Sequence, residues 1–319
     1  MVEAEEFVQK AISEIKNTIK SGKAIIAASG GVDSTVAAIL CHRAIGKNLT
    51  AVHVDTGLMR KNESAQVVEV LKSFGLTVRF VDAKQKFYTA LNGITHPEEK
   101  RKIIGELFIR IFEEEAEKVK DVQYLIQGTI APDWIESGGG LRDTIKTHHN
   151  VGGLPKEMQL KLVEPLRDLY KDEVREVGKN LEIPDSIVNK QPFPGPGLAV
   201  RILGEVTEER AKLLQEADFI WREELEKAAN EEKINLPWQY FAVLLPIRTV
   251  GVHGDLRAYG YTIGLRAVES FDGMTANFLK IPPELLEKIA IRIHNTLKKD
   301  INRVVYDITN KPPSTIEWE

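Results

Sequence analysis

Five apolar positions in a row, Ala24 to Ala28, stand between Lys23 and the turn residues Ser29, Gly30 and Gly31. That pattern predicts a short strand buried on both faces. From Asp33 onward the apolar residues Val36, Ala37, Leu40, Cys41 and Ala44 recur at helical spacing, so the stretch reads as strand, glycine loop, helix. Upstream, residues 3–21 form an amphipathic helix with Phe7, Ala11, Ile12, Ile15 and Ile19 on one stripe, ended by Gly22. Downstream, short apolar runs at 49–54, 77–81 and 124–127 alternate with helical patterns at 63–74, 84–91 and 97–119. The last of these helices turns Ile103, Ile104, Leu107, Ile111 and Phe112 inward. Strand and helix alternating at this spacing predict an α/β fold with a doubly wound parallel sheet.

The rhythm breaks at about 130–155, where glycines and polar side chains dominate around Trp134, Ile135, Ile145 and Val151. A connection of that length with something to pack predicts a functional lid. A helix follows at 164–180 with Val174 and Val177 inside. Then Pro184, Pro192, Pro194 and Pro196 form a stiff connector, which places a domain boundary there and predicts domains at 1–190 and 191–319. Beyond it, a strand at 198–203, a long helix at 208–229 built on Leu214, Ala217, Trp221 and Leu225, strands at 240–245 and 261–269, a helix at 283–297 and a strand at 303–308 predict a smaller α+β domain.

A length of 319 residues favours two domains. Hydrophobic residues make up 43% and charged residues 28%, the balance of a globular protein in water. No apolar run reaches membrane-spanning length and the first ten residues lack the layout of a secretory signal, so a cytoplasmic chain without membrane contact is expected. The single cysteine, Cys41, rules out internal disulfides and cysteine-rich zinc sites, and its place among apolar helix residues makes it a small buried hydrophobe. A net charge of −4 argues against a broad nucleic-acid surface.

A tight glycine turn at a helix N-terminus aims several backbone N–H groups at one point, and the helix dipole adds partial positive charge. That is a cradle for phosphate. The loop reads S-G-G-V-D-S at 29–34, which is neither the G-x-x-x-x-G-K-[ST] nucleotide loop nor the G-x-G-x-x-G dinucleotide fingerprint. Hydroxyls at Ser29 and Ser34 add donors, and Asp33 offers a carboxylate to a metal ion.

This hexapeptide resembles the PP-loop of the ATP pyrophosphatase superfamily. Further blocks narrow the resemblance: VDTGLMRKNE (54–63), QGTIAPDWIES (127–137), KTHHNVGGLPKEM (146–158), EPLRDLYKDEVR (164–175), PFPGPGLAVR (192–201) and INRVVYDITNKPPSTIEWE (301–319) are similar to the synthetase portion of the GMP synthase family. The resemblance implies a ligase that adenylates XMP with ATP, releases pyrophosphate, and lets ammonia displace AMP to give GMP. It implies ATP and pyrophosphate contacts at Ala28, Ser29, Gly30, Gly31, Val32, Asp33, Ser34, Val54, Gly128 and Thr129, with Mg²⁺ held by phosphate oxygens and Asp33. Catalytic roles fall to Asp33, to Lys146 as a point charge on the phosphates, and to Asp133 and Glu136 in the lid. The nucleotide substrate would meet Arg201, Lys311, Ile316 and Glu317. For Arg201 a surface salt bridge is an equal alternative, and residues 311–319 taken alone read as a fraying tail.

His148 and His149 are adjacent on a loop with no third ligand nearby, a weak metal signal that leaves a phosphate or substrate role inside the lid. The glutaminase domain of the family's longer form, with its catalytic cysteine, is absent from this sequence, so a separate glutaminase subunit is expected to supply the ammonia. The second domain resembles the family's dimerisation domain and implies a homodimer, while His253 and Leu256 depart from the family's pattern. The remaining alternatives are another PP-loop adenylating ligase or a nucleotide-binding subunit without catalysis.

Overall fold

The computed structural model describes residues 3–135, 160–253 and 256–319. Lys146, Glu136, His148, His149 and most of the expected lid lie outside the described residues. Contacts divide the chain into two units. One comprises Met1–Asp55, Asn62–Ala83 and Glu106–Lys190; the other comprises Thr56–Lys61, Lys84–Gly105 and Gln191–Glu319.

In the first unit five strands form one sheet in the order β3-β2-β1-β4-β5, with every neighbouring pair parallel. The strands are β1 (Lys23–Ala27), β2 (Leu49–Asp55), β3 (Thr77–Asp82), β4 (Val122–Ile126) and β5 (Lys161–Val163). Ala24, Ile25 and Ile26 of β1 are buried, as a central strand covered on both faces must be. The chain winds from β1 through β2 to β3 on one side and resumes at β4 on the other, so the order reverses between β1 and β4. In open α/β sheets ligands bind outside the carboxyl ends of the strands at that reversal.

The helix α1 (Ala4–Ile19) buries Val8, Ala11, Ile15 and Ile19, with Phe7 and Ile12 half-buried against the same core. The helix α2 (Val32–Ile45) is buried nearly all round, which is why it shows no polar face and Cys41 lies fully inside. The remaining helices of the chain's first 190 residues are α3 (Glu63–Ser73), α4 (Lys84–Ala90), α5 (Pro97–Glu117), α6 (Ala131–Ile135), α7 (Lys171–Asn180) and α8 (Asp185–Val188).

The second unit is built on a long antiparallel pair, β6 (Gln239–His253) and β7 (Leu256–Glu269). The short β8 (Asn277–Phe278) and β9 (Ile301–Tyr306) both pair with β7, β9 in parallel. The helices α9 (Glu208–Asn230) and α10 (Pro283–Leu297) accompany this sheet. Phe241, Val243, Leu245, Val268, Ala276 and Ile316 make one apolar cluster. Among the described residues no helix is long and apolar enough to cross a membrane.

Several expectations need correction. Segments 56–61 and 84–105, expected in the first domain, belong to the second unit. There Leu58 O accepts from Leu198 N at 2.7 Å and Gly57 O from Tyr88 Oη at 2.8 Å, contacts that no local pattern encodes. The expected strand at 198–203 is a 3₁₀ turn over Gly197–Val200, followed by a single bridge from Ile202 to Leu244. Leu198 to Ile202 are all buried, and a buried apolar run reads as a strand whatever its backbone does.

The helix expected at 164–180 begins only at Lys171, because Tyr170 is extended (φ −85°, ψ 165°) and caps the helix while Glu173 accepts from its N–H at 2.9 Å. β5, just before it, has too few residues to show a pattern. The strands at 240–245 and 261–269 are parts of a hairpin twice as long. Its outer half exposes Val250, Val252, Leu256 and Tyr259 and therefore lacks the alternation of a half-buried strand.

Candidate active site

The glycine loop sits at the sheet's order reversal, leaving β1 and entering α2. Ala28 continues the ladder by donating from its N–H to Val52 O at 2.8 Å. Gly30 then turns at φ +82°, where a Cβ would fall 2.4 Å from Val67 Cγ2, so glycine is required on both counts. Gly31 is the extended N-cap of α2, and the first helical bond runs from Thr35 N to Gly31 O at 3.1 Å. The N–H groups of Val32, Asp33 and Ser34 therefore precede the helical ladder and face the loop's mouth. Ser29 Oγ and Ser34 Oγ stand 3.0 Å apart across it.

The floor of the loop comes from β4. Gly128 follows that strand, and a Cβ there would lie 3.0 Å from both Asp33 C and Ser34 N. Val54 and Thr129, at the ends of β2 and β4, are buried. Every residue expected at the ATP site in this unit thus belongs to the loop itself or to the carboxyl end of a strand.

Charge around the loop is balanced by residues that the sequence did not single out. Lys171 Nζ meets Asp33 Oδ2 at 2.6 Å, while Asp33 Oδ1 is buried with no hydrogen-bond partner among the described residues. Lys190 Nζ donates to Gly30 O at 3.0 Å and also pairs with Glu63. His53 Nδ1 and Ala28 O are 2.7 Å apart, which ties β2 to the loop's entry. Burial holds the His53 imidazole below its ordinary pKa despite that bond and the nearby carboxylates, so the ring is neutral and Nδ1 donates. Both lysines looked like ordinary helix and loop charges, and their only signal was membership of a motif block or proximity to the proline connector.

Asp133 lies on the one-turn helix α6, where its Oδ2 accepts from Ile130 N at 2.9 Å. Cys41 is confirmed as a buried hydrophobe, its thiol pushed up to about 12 by burial. Among the described residues no three His, Cys, Asp or Glu side chains cluster as a metal site. Asp33 Oδ1 fits as one oxygen ligand for a hard cation, which would take its other ligands from phosphate and water.

In the second unit Arg201, Ile316 and Glu317 come together. Arg201 is wholly buried and grips Glu317 with two bonds, Nη2 to Oε1 at 2.7 Å and Nε to Oε2 at 3.0 Å. The surface alternative for Arg201 is therefore wrong. Its guanidinium lies over the rings of Phe241 at 4.0 Å and Phe193 at 5.1 Å, and Gln239 Nε2 adds a third bond to Glu317 at 2.8 Å. Ile316 is buried in the apolar cluster. Lys311 pairs with Ala276 through its backbone and donates from Nζ to Gly273 O at 2.8 Å. The segment that read as a fraying tail is docked. Neither Gln239 nor Phe193 could be found from the sequence, because their role depends on the buried face of Arg201.

The family model described as the GMP synthase C terminal domain matches residues 223–318, and the NAD synthase model matches residues 1–111. The chain is 57% identical over 316 residues to a separate subunit of the GMP synthase (glutamine-hydrolyzing) of Thermococcus kodakarensis, covering 99% of each chain. It is 56% identical to the corresponding subunit of Pyrococcus furiosus, covering 99% of this chain and 97% of the other. It is also 56% identical to the GMP synthase (glutamine-hydrolyzing) of Caldicellulosiruptor saccharolyticus, covering 98% of this chain but 61% of that relative's length.

Proposed function

The chain belongs to the GMP synthase family, and from that membership we propose that it adenylates XMP with ATP and aminates the product to GMP. In the first half-reaction the O2 of XMP attacks the α-phosphorus, the bond to the β-phosphate breaks, and pyrophosphate leaves. In the second, ammonia adds at C2, a proton is lost, and AMP departs with the former O2. The observation that carries this reading is the loop over residues 29–34 with its first-turn amides open, floored by Gly128 at the reversal of strand order.

The loop's N–H groups and the two serine hydroxyls would hold the departing pyrophosphate, where preorganised donors are worth most because charge builds there in the transition state. Lys171, paired with Asp33, places a further positive charge at the rim. Magnesium, when bound through Asp33 Oδ1 and phosphate oxygens, neutralises phosphate charge. Lys146, Asp133 and Glu136 are assigned to the lid chemistry by resemblance. In the second unit the segment carrying Lys311, Ile316 and Glu317, backed by Arg201, is assigned to XMP.

Ammonia would come from a separate glutaminase subunit, in line with the naming of the full-length relatives as one subunit of a glutamine-hydrolyzing enzyme. A homodimer is proposed on the exposed Ile247, Val250, Val252, Leu256 and Tyr259 of the β6–β7 hairpin, an apolar group too large to be left in water without reason. A cytoplasmic location completes the proposal.

The test is pyrophosphate release and GMP formation by the purified chain with ATP, Mg²⁺ and XMP, with ammonium or glutamine in parallel. GMP from ammonium alone is the expected result. Pyrophosphate with another acceptor in place of XMP would make the chain a different adenylating ligase, and no turnover at all would make it a binding subunit.

A further inference from the structure

Three basic side chains of the second unit have no solvent exposure at all: Lys100, Arg201 and Arg266. A charge taken that far from water must be fully partnered, because desolvation penalises the ionised form. All three find partners in the segment 307–319. Arg266 pairs with Asp307 at 3.2 Å and donates to Thr309 O, to Ser314 Oγ at 3.3 Å and to Thr315 O at 3.3 Å. Arg201 grips Glu317.

Lys100 is the most constrained of the three. Its ammonium has three protons and meets three acceptors: Ala199 O at 3.1 Å, Ile202 O at 2.8 Å and Glu319 Oε2 at 2.6 Å. Glu319 is the anion of that set. Burial pulls the Lys100 pKa down and Glu319 opposes the shift, so the charge at this depth depends on the carboxylate. The next residue, Arg101, donates from Nη2 to the main-chain oxygen of Glu319 at 2.8 Å. The segment is thus pinned at 317 and again at 319, with only Trp318 between. Pins two residues apart fix the register of an extended segment, since a slip by one residue would turn both carboxylates away from their cations.

We propose that Lys100 is a positioning residue for the nucleotide substrate, acting through Glu319 to hold the carboxylate of Glu317 in register. The proposal rests on the assignment of residues 311–319 to XMP. Lys100 itself touches no substrate. It acts by making the docked form of the segment the only one in which a buried ammonium is neutralised.

The test compares the unmodified chain with Lys100→Met, Glu319→Gln and the double variant. Two readouts are followed: amide hydrogen exchange in 311–319, and steady-state kinetics with XMP, ATP and ammonium. Each single variant is expected to raise KM for XMP about tenfold, leave KM for ATP within about twofold, and speed exchange in the segment. The double variant should be no worse than the more affected single one, because both break the same contact.

Faster exchange with KM for XMP unchanged would reduce the contact to a structural one and overturn the role. Equal rises in both KM values would mean general loosening, and additive effects would mean two independent sites; either overturns it. If Lys100→Met does not fold, Glu319→Gln carries the test alone. Failure of the unmodified chain to bind XMP in calorimetry would overturn the functional reading and this role with it, whereas the exchange comparison would still show whether the contact holds the segment.

Discussion

Gly128 lies directly against the backbone of Asp33: a Cβ on Gly128 would sit 3.0 Å from the carbonyl carbon of Asp33 and 3.1 Å from its oxygen. Backbone cannot rotate aside as a side chain can, so alanine here must push the first turn of α2 outward by a few tenths of an ångström. Gly128→Ala is expected to destabilise the chain by about 1–2 kcal/mol, the usual cost of overpacking. Pyrophosphate release should fall far more, by about tenfold or beyond, because the displaced amides are those proposed to hold the leaving group. Melting curves and initial rates on the same preparation separate the two effects.

Asp33 and Lys171 form a pair at 2.6 Å that is partly open to solvent, with side-chain exposures of 25% and 45%. Exposed pairs contribute little to stability, so Asp33→Asn should change it by less than about 1 kcal/mol. The catalytic effect is expected to be of a different order, a fall in kcat/KM for ATP of about a hundredfold, since a carboxylate proposed as a magnesium ligand is lost next to a lysine left without its counter-charge. A rate unchanged within about twofold would remove Asp33 from the site.

Glu317→Gln takes the anion from Arg201, which has no exposure of its own. Because Glu317 keeps some contact with solvent, the expected cost is about 2 kcal/mol, below that of breaking a fully buried pair. XMP binding measured by calorimetry should weaken while ATP binding stays the same.

His53 carries a pH dependence whose sign follows from its depressed pKa. Burial disfavours the imidazolium in the folded chain, whereas the unfolded chain protonates near the ordinary value of 6.5. Between the folded pKa and that value the unfolded state binds more protons, so the contribution is fully present above it and declines as pH falls below it. Thermal midpoints should drop from pH 7.5 toward pH 5.5 by more in the parent than in His53→Gln, whose amide can still donate to Ala28 O.

Cys41 should not react with iodoacetamide in the folded chain at neutral pH, because its thiol is wholly buried and pushed up to about 12. Stoichiometric labelling should appear only in denaturant, and mass spectrometry reads both conditions.

Much of this protein is determined by local sequence. The run Ala24 to Ala28 followed by Ser29, Gly30 and Gly31 specified strand, turn and anion-binding helix start, because burial, a positive φ and an unladdered first turn are properties of a few adjacent residues. Helix α10 and the core faces of α1 and α9 were equally legible, since helical periodicity repeats often enough to be seen. The tertiary structure alone decided what depends on partners distant in the chain. It closed Gly128 onto Asp33, placed Lys171 and Lys190 at the loop, moved 56–61 and 84–105 into the second unit, and turned the apolar run at 198–202 into a buried 3₁₀ turn. It also converted residues 311–319 from a charged, proline-stiffened end into a docked segment. The carboxylates of Glu317 and Glu319 are visible in the sequence; the buried Arg201 and Lys100 that require them lie more than a hundred residues away, and only folding brings a charge and its counter-charge out of water together.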